Sequence, residues 1–262
     1  MTLVALLFIA IGVADITRER FRRPIGPIVG GTAGILVLCL SAWGLGAPVG
    51  PVLALAGATL AWIAATAIPT GGQSGYLKLA LLGALITATW AFPIASDDGA
   101  PLARWYAALP YSFTTEINVD AFMLGLGSVL FLIETANIIV RLILAAAPRA
   151  TAKTVTTADA TTPARRSWFG RGATVAVSPA PQGVLPLKGG RILGPFERLF
   201  LFALVMAGQF TALAAVVAAK GIIRFPEISK DTADGSKAEY FLVGSFASWA
   251  VVLVVALIAL SP

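Results

Sequence analysis

The sequence predicts an all-α membrane protein, a polytopic bundle of about seven transmembrane helices. Of its 262 residues, 58% are hydrophobic and only 12% are charged, whereas about one quarter of the residues in a soluble domain are charged. Apolar stretches also recur with nearly the length of about 20 residues that a helix needs to cross about 30 Å of hydrocarbon. Both observations indicate a chain whose surroundings are mainly lipid.

Each predicted span follows from one apolar stretch. The first, Thr2–Ala14, must extend through Ile16 to cross, and its arginines follow the apolar run, which favours an N-out anchor over a cleaved signal peptide. The later stretches are Pro27–Gly46, Val49–Pro69, Leu77–Ser96, Ala121–Ala147, Leu193–Ala219 and Tyr240–Leu260. The first five spans form a membrane region over residues 1–147, and the last two form a closing pair over 193–262.

Residues 148–192, between these two regions, form a segment rich in Ala, Thr, Pro and Arg. Such a composition buries too little apolar surface to offset the entropy of ordering, so we expect a mostly disordered loop. Its basic residues are Arg149, Lys153, Arg165, Arg166, Arg171, Lys188 and Arg191, against the single acid Asp159. Basic loops remain in the cytoplasm, so the segment is predicted to be cytoplasmic.

The loop after the first span is also basic, with Arg18, Arg20, Arg22 and Arg23. With seven crossings, both basic loops lie on one side, which places the first residues outside and the last residues inside a bacterial inner membrane. Segment 220–239 fits this orientation poorly, because it places Lys220, Arg224, Lys230 and Lys237 outside.

The outer connection 97–120 contains the run Pro101–Tyr111, in which Trp105, Tyr106 and Tyr111 are interleaved with aliphatic residues. Aromatic residues of this kind lie at the level of lipid headgroups. The run therefore predicts a short interfacial helix, and a connector resting on the membrane is favoured over a lid on a substrate site.

The fifth span carries costly polar residues. Glu134, Asn137 and Arg141 follow one another at i, i+3 and i+7, which places them on one helical face. An ionisable group within a span costs about 2.5–3.5 kcal/mol on insertion scales, so it normally faces a partner or a cavity. The pattern fits the lining of a cavity or ion path, and it fits somewhat better an interhelical network of salt bridges and hydrogen bonds that fixes packing.

The sixth span begins with a second polar group. Glu197 and Arg198 lie near its start, where Glu197 can pair with Arg141, or Arg198 with Glu134. Gln209 falls near the middle of the span, and a side chain there usually hydrogen bonds to another helix. The six residues Glu134, Asn137, Arg141, Glu197, Arg198 and Gln209 are therefore predicted to form a polar cluster within the membrane.

The predicted outer end of the sixth span carries Lys220 and Arg224, four residues apart and so on one face, with Glu239 at the start of the last span. An anion or a lipid headgroup can bind such a face. Capping of the helix C-terminus by the two cations explains the pattern as well.

Small residues are frequent in the second and third spans. Their spacing lets helix backbones approach closely and implies packing without chemistry. The positions are Gly30, Gly31 and Gly34, then Gly50, Ala54 and Gly57.

The composition also excludes several function classes. The chain has no histidine and one cysteine, Cys39, so mechanisms with a histidine base and intrachain disulfides are absent. We expect no catalytic residue, metal or cofactor. Asp97 and Asp98, the nearest approach to a metal-binding pair, fit a solvated turn. The high pI of about 9.8 reflects cytoplasmic loops rather than nucleic-acid binding.

The closing pair resembles the C-terminal part of a family of uncharacterised bacterial multi-pass membrane proteins. The motif is G-R-x-x-G-x-x-E-R, a central G-Q, A-A-K-x-x-x-R-F and E-Y-x-x-G, and it covers residues 190 to about 252. The matching positions are Gly190, Arg191, Gly194, Glu197, Arg198, Gly208, Gln209, Ala219, Lys220, Arg224, Phe225, Glu239, Tyr240, Gly244 and Ser248. Gly221 and Ser245 depart from the family's serine and threonine.

The resemblance implies a topology and a map of polar residues, without a reaction. At their N-terminal end, the family's members carry a histidine before Gly-Asp-Phe. This chain has no histidine, and Asp15 is at best a remnant of that motif.

Three classes of function remain open. The first is a small transporter or channel-like protein with a polar path near Glu134, Arg141 and Glu197. The second is a structural or regulatory subunit of a homo-oligomer or of a complex with other membrane proteins. A membrane enzyme acting on lipid-linked substrates is less favoured. Membrane lipids are expected partners in each case.

Overall fold

The structure, a computed structural model, describes residues 1–21, 24–68, 74–146, 190–228 and 236–261. These residues form eleven helices: α1 Thr2–Arg20, α2 Ile25–Gly44, α3 Val49–Ala67, α4 Ser74–Ala91, α5 Pro101–Ala107, α6 Phe113–Glu116, α7 Val119–Ile133, α8 Thr135–Ala146, α9 Gly190–Met206, α10 Phe210–Ile228 and α11 Ser236–Leu260. The predicted disordered loop lies almost wholly outside the described residues.

Helix α1 occupies the centre of the bundle. Nearly every side chain from Thr2 to Asp15 is buried, because α1 is apolar all round over this stretch and α2, α3, α4, α7 and α8 pack against it. The stretch that seemed too short for a span is therefore the core helix.

Glycines allow two neighbours to approach α1 at backbone distance. A Cβ on Gly30 or Gly34 of α2 would lie 2.6 Å or 2.8 Å from carbonyl oxygens of α1, and a Cβ on Gly127 of α7 would lie 2.9 Å from another. The predicted close packing is thus confirmed at Gly30 and Gly34. It is wrong at Gly50 and Gly57, where the space beside α3 is open within 4 Å.

The outer helices have the length and composition of membrane spans. Helices α2, α3, α4 and α11 each pass this test, and α7 with α8 makes a fifth span if the bent pair is counted as one. Their outward faces carry exposed aliphatic and aromatic side chains, for example Leu36, Leu53, Leu77 and Leu257. An all-helical, multi-pass membrane fold is the class that this surface defines.

Two predicted continuous spans are broken. The fifth bends by 46° between α7 and α8, at Glu134, whose φ of −123° lies outside the helical range. The sixth ends at Gly208, whose φ of +68° belongs to the left-handed region that glycine adopts readily. The predicted span Ala121–Ala147 is therefore a bent pair of helices, and the prediction of one continuous span over Leu193–Ala219 is wrong.

Helices α9 and α10 form a hairpin. Glu197 and Lys220 are 23 residues apart, which would separate them by about 35 Å along one straight helix. Their side chains nevertheless form an ion pair of 2.7 Å. The chain must therefore reverse its direction at Gly208 and Gln209.

Because of the hairpin, the last helix ends on the same side of the bundle as the first helix begins. At one end of the bundle, Arg18 donates a hydrogen bond to the Thr66 hydroxyl (2.6 Å); we call it the arginine end, after Arg18 and Arg20. At the other, the terminal end, the Thr2 hydroxyl donates to the Ile94 carbonyl (2.6 Å). Trp90, one turn earlier on α4, donates to the Ser261 hydroxyl (3.1 Å). Thr2 and Ser261 thus share an end, whereas seven crossings would separate them.

Helices α5 and α6 cover the terminal end, and α5 confirms the short helix expected in the connection 97–120. The Tyr106 hydroxyl donates to the Ile117 carbonyl (2.9 Å), while Trp105 points outward and is 56% exposed. One aromatic ring therefore anchors α5 and the next is free to contact lipid.

Candidate polar site at the arginine end

Glu134 lies at the break between α7 and α8, and its neighbours on α8 bind it. Arg141 Nη2 is 3.1 Å from the Glu134 Oε1, and Asn137 Nδ2 donates to Oε2 at 3.2 Å. Arg141 Nη1 also lies 3.9 Å from the Glu19 carboxylate of α1. The predicted shared face of Glu134, Asn137 and Arg141 is confirmed by these contacts.

Arg198 connects three helices. Its Nε donates to the Ser248 hydroxyl of α11 (2.8 Å), and its Nη1 donates to Asn137 Oδ1 of α8. The residue is only 5% exposed. Asn137 is therefore the bridge that joins Glu134 to Arg198, and the predicted direct pair of these two residues is wrong.

The guanidinium of Arg198 has more N–H donors than hydrogen bonds among the described residues. An arginine carries five N–H donors, and the two hydrogen bonds of Arg198 go to neutral groups. In the described part of the chain, no carboxylate lies within 4 Å of this guanidinium. A buried cation without a close counter-ion is costly, so the environment of Arg198 must supply compensation.

A cavity of about 330 Å³ adjoins these residues. We call it the arginine-end cavity. Its lining residues come from α1, from the break between α7 and α8, from α8 itself and from the start of α9: Glu19, Glu134, Asn137, Val140, Arg141, Gly194, Pro195 and Arg198. Its volume is at the lower end of the range of ligand pockets, about 300–1,000 Å³.

Glu197 belongs to a separate, neighbouring pair. Both of its carboxylate oxygens accept from Lys220 Nζ at 2.7 Å, and Trp249 Nε1 donates to Oε1 at 3.2 Å. Lys220 also lies 5.5 Å from the centre of the Trp249 ring, within cation–π range. The predicted pair of Glu197 with Arg141 is wrong, because the hairpin brings Lys220 to Glu197 instead.

The other predicted residues lie apart from this cluster. Gln209 is exposed at the tip of the hairpin, beyond the nine residues of α9 that follow Glu197, or about 13 Å. Lys220 is paired within the hairpin rather than displayed on an outer surface. Arg224 lies on α10, but its side chain is outside the described part, and Glu239 is exposed in the first turn of α11.

Asp15 is a buried polar residue whose role was not predicted from sequence patterns. It is fully buried in α1, and its Oδ2 accepts hydrogen bonds from Trp62 Nε1 of α3 (3.1 Å) and from the Thr135 hydroxyl of α8 (2.8 Å). Arg18 Nε lies 3.1 Å from Oδ1, without the alignment of a hydrogen bond. The carboxylate thus lies beside the first residue of α8, where the helix dipole favours an anion.

A second cavity, of about 240 Å³, lies on the other side of Glu19 and Arg141, and Arg18 and Thr66 also line it. Glu19 and Arg141 line both cavities. Their 3.9 Å pair therefore separates two hollows at the same end of the bundle.

These features describe a multi-pass helical membrane protein with a charged cavity at one end. Comparisons with protein-family models, with curated proteins and with solved structures gave no match. The resemblance of residues 190–252 to a bacterial membrane family therefore stays a prediction, and the case for a function depends on the site itself.

Proposed function

We propose that this protein is a small membrane transporter that admits a polar solute into the arginine-end cavity. One observation carries the proposal: the cavity is lined by the side chains of Glu134, Asn137, Arg141 and Arg198 at the point where a membrane helix is broken. Charged groups at membrane depth normally face a partner or a water-filled path. Each of these four side chains has a hydrogen-bond partner, and each also lines the arginine-end cavity.

The two helix breaks support transport over a purely structural role. Irregular backbone at membrane depth is tolerated where it is buried in protein or lines a cavity, and discontinuous helices are typical of solute sites in transporters. The break at Glu134 contributes directly to the cavity lining. The α9–α10 hairpin contributes Gly194 and Arg198 from its first arm.

A moving carrier is favoured over an open pore. Between the polar cluster and the terminal end, the apolar half of α1 fills the centre of the bundle. Its side chains Leu6, Leu7, Phe8 and Ile11 are almost fully buried. Phe8 also stacks on Phe131 of α7, with ring centres 4.6 Å apart. A solute in the arginine-end cavity therefore has to wait for a rearrangement of these helices before it can reach the terminal end.

The hairpin supports an orientation with the arginine end in the cytoplasm. Because the hairpin leaves the membrane where α9 enters it, Lys220 and Glu239 lie on the side of Arg18 and Arg20. These two residues bound the segment 220–239, which was the poor fit to the rule of positive cytoplasmic loops. With this arrangement, Arg104 is the one basic residue in the connection 97–120 on the opposite side. A bacterial inner membrane, expected from the sequence, is part of this proposal.

Uptake by purified protein in liposomes tests the proposal. We expect entry of at least one of three radiolabelled solutes (phosphate, succinate and glycine) to exceed that of protein-free vesicles, with valinomycin and potassium dissipating the membrane potential. Asn137→Leu should slow uptake about tenfold or more, the effect of about 1.4 kcal/mol in the transition state, because Asn137 bridges Glu134 and Arg198.

Glu116→Gln is the matched control, since Glu116 is exposed on α6 at the other end of the molecule. Its uptake should equal that of the unchanged protein. Vesicles that stay as tight as protein-free liposomes to all three solutes would contradict the transporter.

A second candidate is a subunit of a larger membrane assembly, and helix α10 favours it. This helix lies on the outside of the bundle, with Phe210, Ile222 and Ile223 each more than 60% exposed. A single sharp mass for the monomer after extraction in mild detergent would argue against this candidate, whereas a homo-oligomer or co-purifying chains would support it.

A further inference from the structure

We infer that the solute is a small oxyanion, bearing a carboxylate or phosphate group, and that the guanidinium of Arg198 binds it. This inference rests on the proposed function for the direction of movement, but not for the binding site. The reasons lie in the donors of Arg198, in the charges around it and in the space beside Gly194.

The first reason is that Arg198 has N–H donors without a hydrogen-bond acceptor among the described residues. Arg198 is only 5% exposed. Its Nε donates a hydrogen bond to Ser248, and its Nη1 donates one to Asn137. Among the described residues, the second N–H of Nη1 and both N–H groups of Nη2 make no hydrogen bond, and the side chain lines the arginine-end cavity. A planar fork of unused donors is the geometry that binds carboxylate and phosphate in a bidentate manner.

Two acids and two arginines line the cavity, and Arg198 is the one of these four described groups without an ion pair within 4 Å. The two acids that line the cavity, Glu134 and Glu19, both have Arg141 as a partner, at 3.1 Å and 3.9 Å. Arg198 hydrogen bonds only to neutral groups. Glu197 and Glu134 act on Arg198 only from beyond 4 Å, so an incoming oxyanion would give it a hydrogen-bonded counter-ion and offset the cost of its burial.

Gly194 leaves room for that anion. A Cβ at this position would lie 3.8 Å from Asn137 Oδ1 and 4.0 Å from Arg198 Nη2. Both distances are ordinary van der Waals contacts, so alanine fits without a clash. Its methyl group would nevertheless lie over Nη2, in the part of the cavity where the oxyanion has to sit.

Binding of phosphate and of succinate to the full-length protein in uncharged detergent provides the test, measured by isothermal titration calorimetry against sodium chloride at equal ionic strength. We expect both anions to bind and glycine to bind at least tenfold more weakly. Gly194→Ala should weaken both anions about tenfold, the effect of losing roughly one charge-assisted hydrogen bond. Arg198→Lys should do the same, because it keeps the charge but loses the fork.

Gly57→Ala is the control, since a Cβ there meets open space within 4 Å. It should bind the anions as the unchanged protein does, and equal thermal midpoints would show that Gly194→Ala is folded. Undiminished anion binding by Gly194→Ala, or stronger binding of glycine than of either anion, would overturn the inference.

Two further outcomes separate this inference from related ideas. Anion binding that depends on Arg198, with no uptake into liposomes, would sustain the oxyanion site and remove the transporter. Binding seen only in nanodiscs that contain phosphatidylglycerol, and not with free phosphate or succinate, would identify the anion as a lipid headgroup. That result would overturn the assignment to a soluble solute.

Discussion

The Asp15 carboxylate accepts hydrogen bonds from α3 and α8 while it faces Arg18 on its own helix. Arg18 in turn donates to Thr66 on α3. One buried acid thereby connects three helices just below the break at Glu134. Because its charge is shielded from water, most of its stabilisation depends on these few donors.

Replacement of Asp15 by alanine should destabilise the protein by about 3–5 kcal/mol, the range for a buried ion pair that loses one member. Arg18 would keep a nearly buried charge with one neutral partner, and Trp62 Nε1 would lose its acceptor. Thermal unfolding in detergent measures the loss, with Asp98→Ala on the exposed loop as the control. An unchanged midpoint for Asp15→Ala would show that the network adds little.

Sequence patterns could not assign this role to Asp15. An acid that follows a short apolar run is typical of a helix end. Its hydrogen-bond partners are 47 and 120 residues away in the chain, so no local spacing links them. By contrast, Glu134, Asn137 and Arg141 were found because their contacts follow the helical repeat of a single segment.

At the scale of helices, the reversal between α9 and α10 depends on one glycine. Gly208 has φ +68°, and the amide of Gln209 donates to the Leu204 carbonyl at 2.8 Å, which closes the end of α9. A left-handed residue at a helix end is the usual place for glycine.

Gly208→Ala should therefore destabilise the hairpin by about 1–2 kcal/mol, the cost of placing a side chain in the left-handed region. The space around Gly208 is open within 4 Å, so the loss would come from the backbone and not from a clash. Gly221→Ala on α10 is the matched control: its surroundings are equally open, and alanine favours a helix by about 1 kcal/mol over glycine. Equal unfolding midpoints for the two variants would contradict a left-handed turn at Gly208.

The hairpin was missed because its sequence is a continuous apolar run. Charges at Glu197 and Lys220 fit the two ends of one straight span, and the same charges fit a pair in a hairpin. Gly208 and Gln209 offered a local signal, since glycine followed by a polar residue favours a turn. Apolar length alone did not distinguish one crossing from a hairpin, whereas composition predicted the class.

At the scale of the whole molecule, one reversal changes the position of everything after it. In a bundle of seven crossings, the last helix would enter from the outside, and Ser261 would lie opposite Thr2. With the hairpin, the first half of α11 packs beside α8, where a Cβ on Gly244 would lie 3.6 Å from the Leu144 side chain. The helix ends beside Trp90 at the terminal end.

The two arrangements predict opposite accessibility for the ends of α11. In a Cys39→Ala background, single cysteines are introduced as Asp98→Cys, Arg20→Cys, Glu239→Cys and Leu260→Cys, at positions that are all exposed. With the arginine end in the cytoplasm, an impermeant maleimide added to intact cells should label positions 98 and 260 and spare 20 and 239. Seven crossings would instead give labelling at 98 and 239, with 20 and 260 protected. Positions 98 and 20 are thus internal controls, and label at 239 without label at 260 would refute the hairpin.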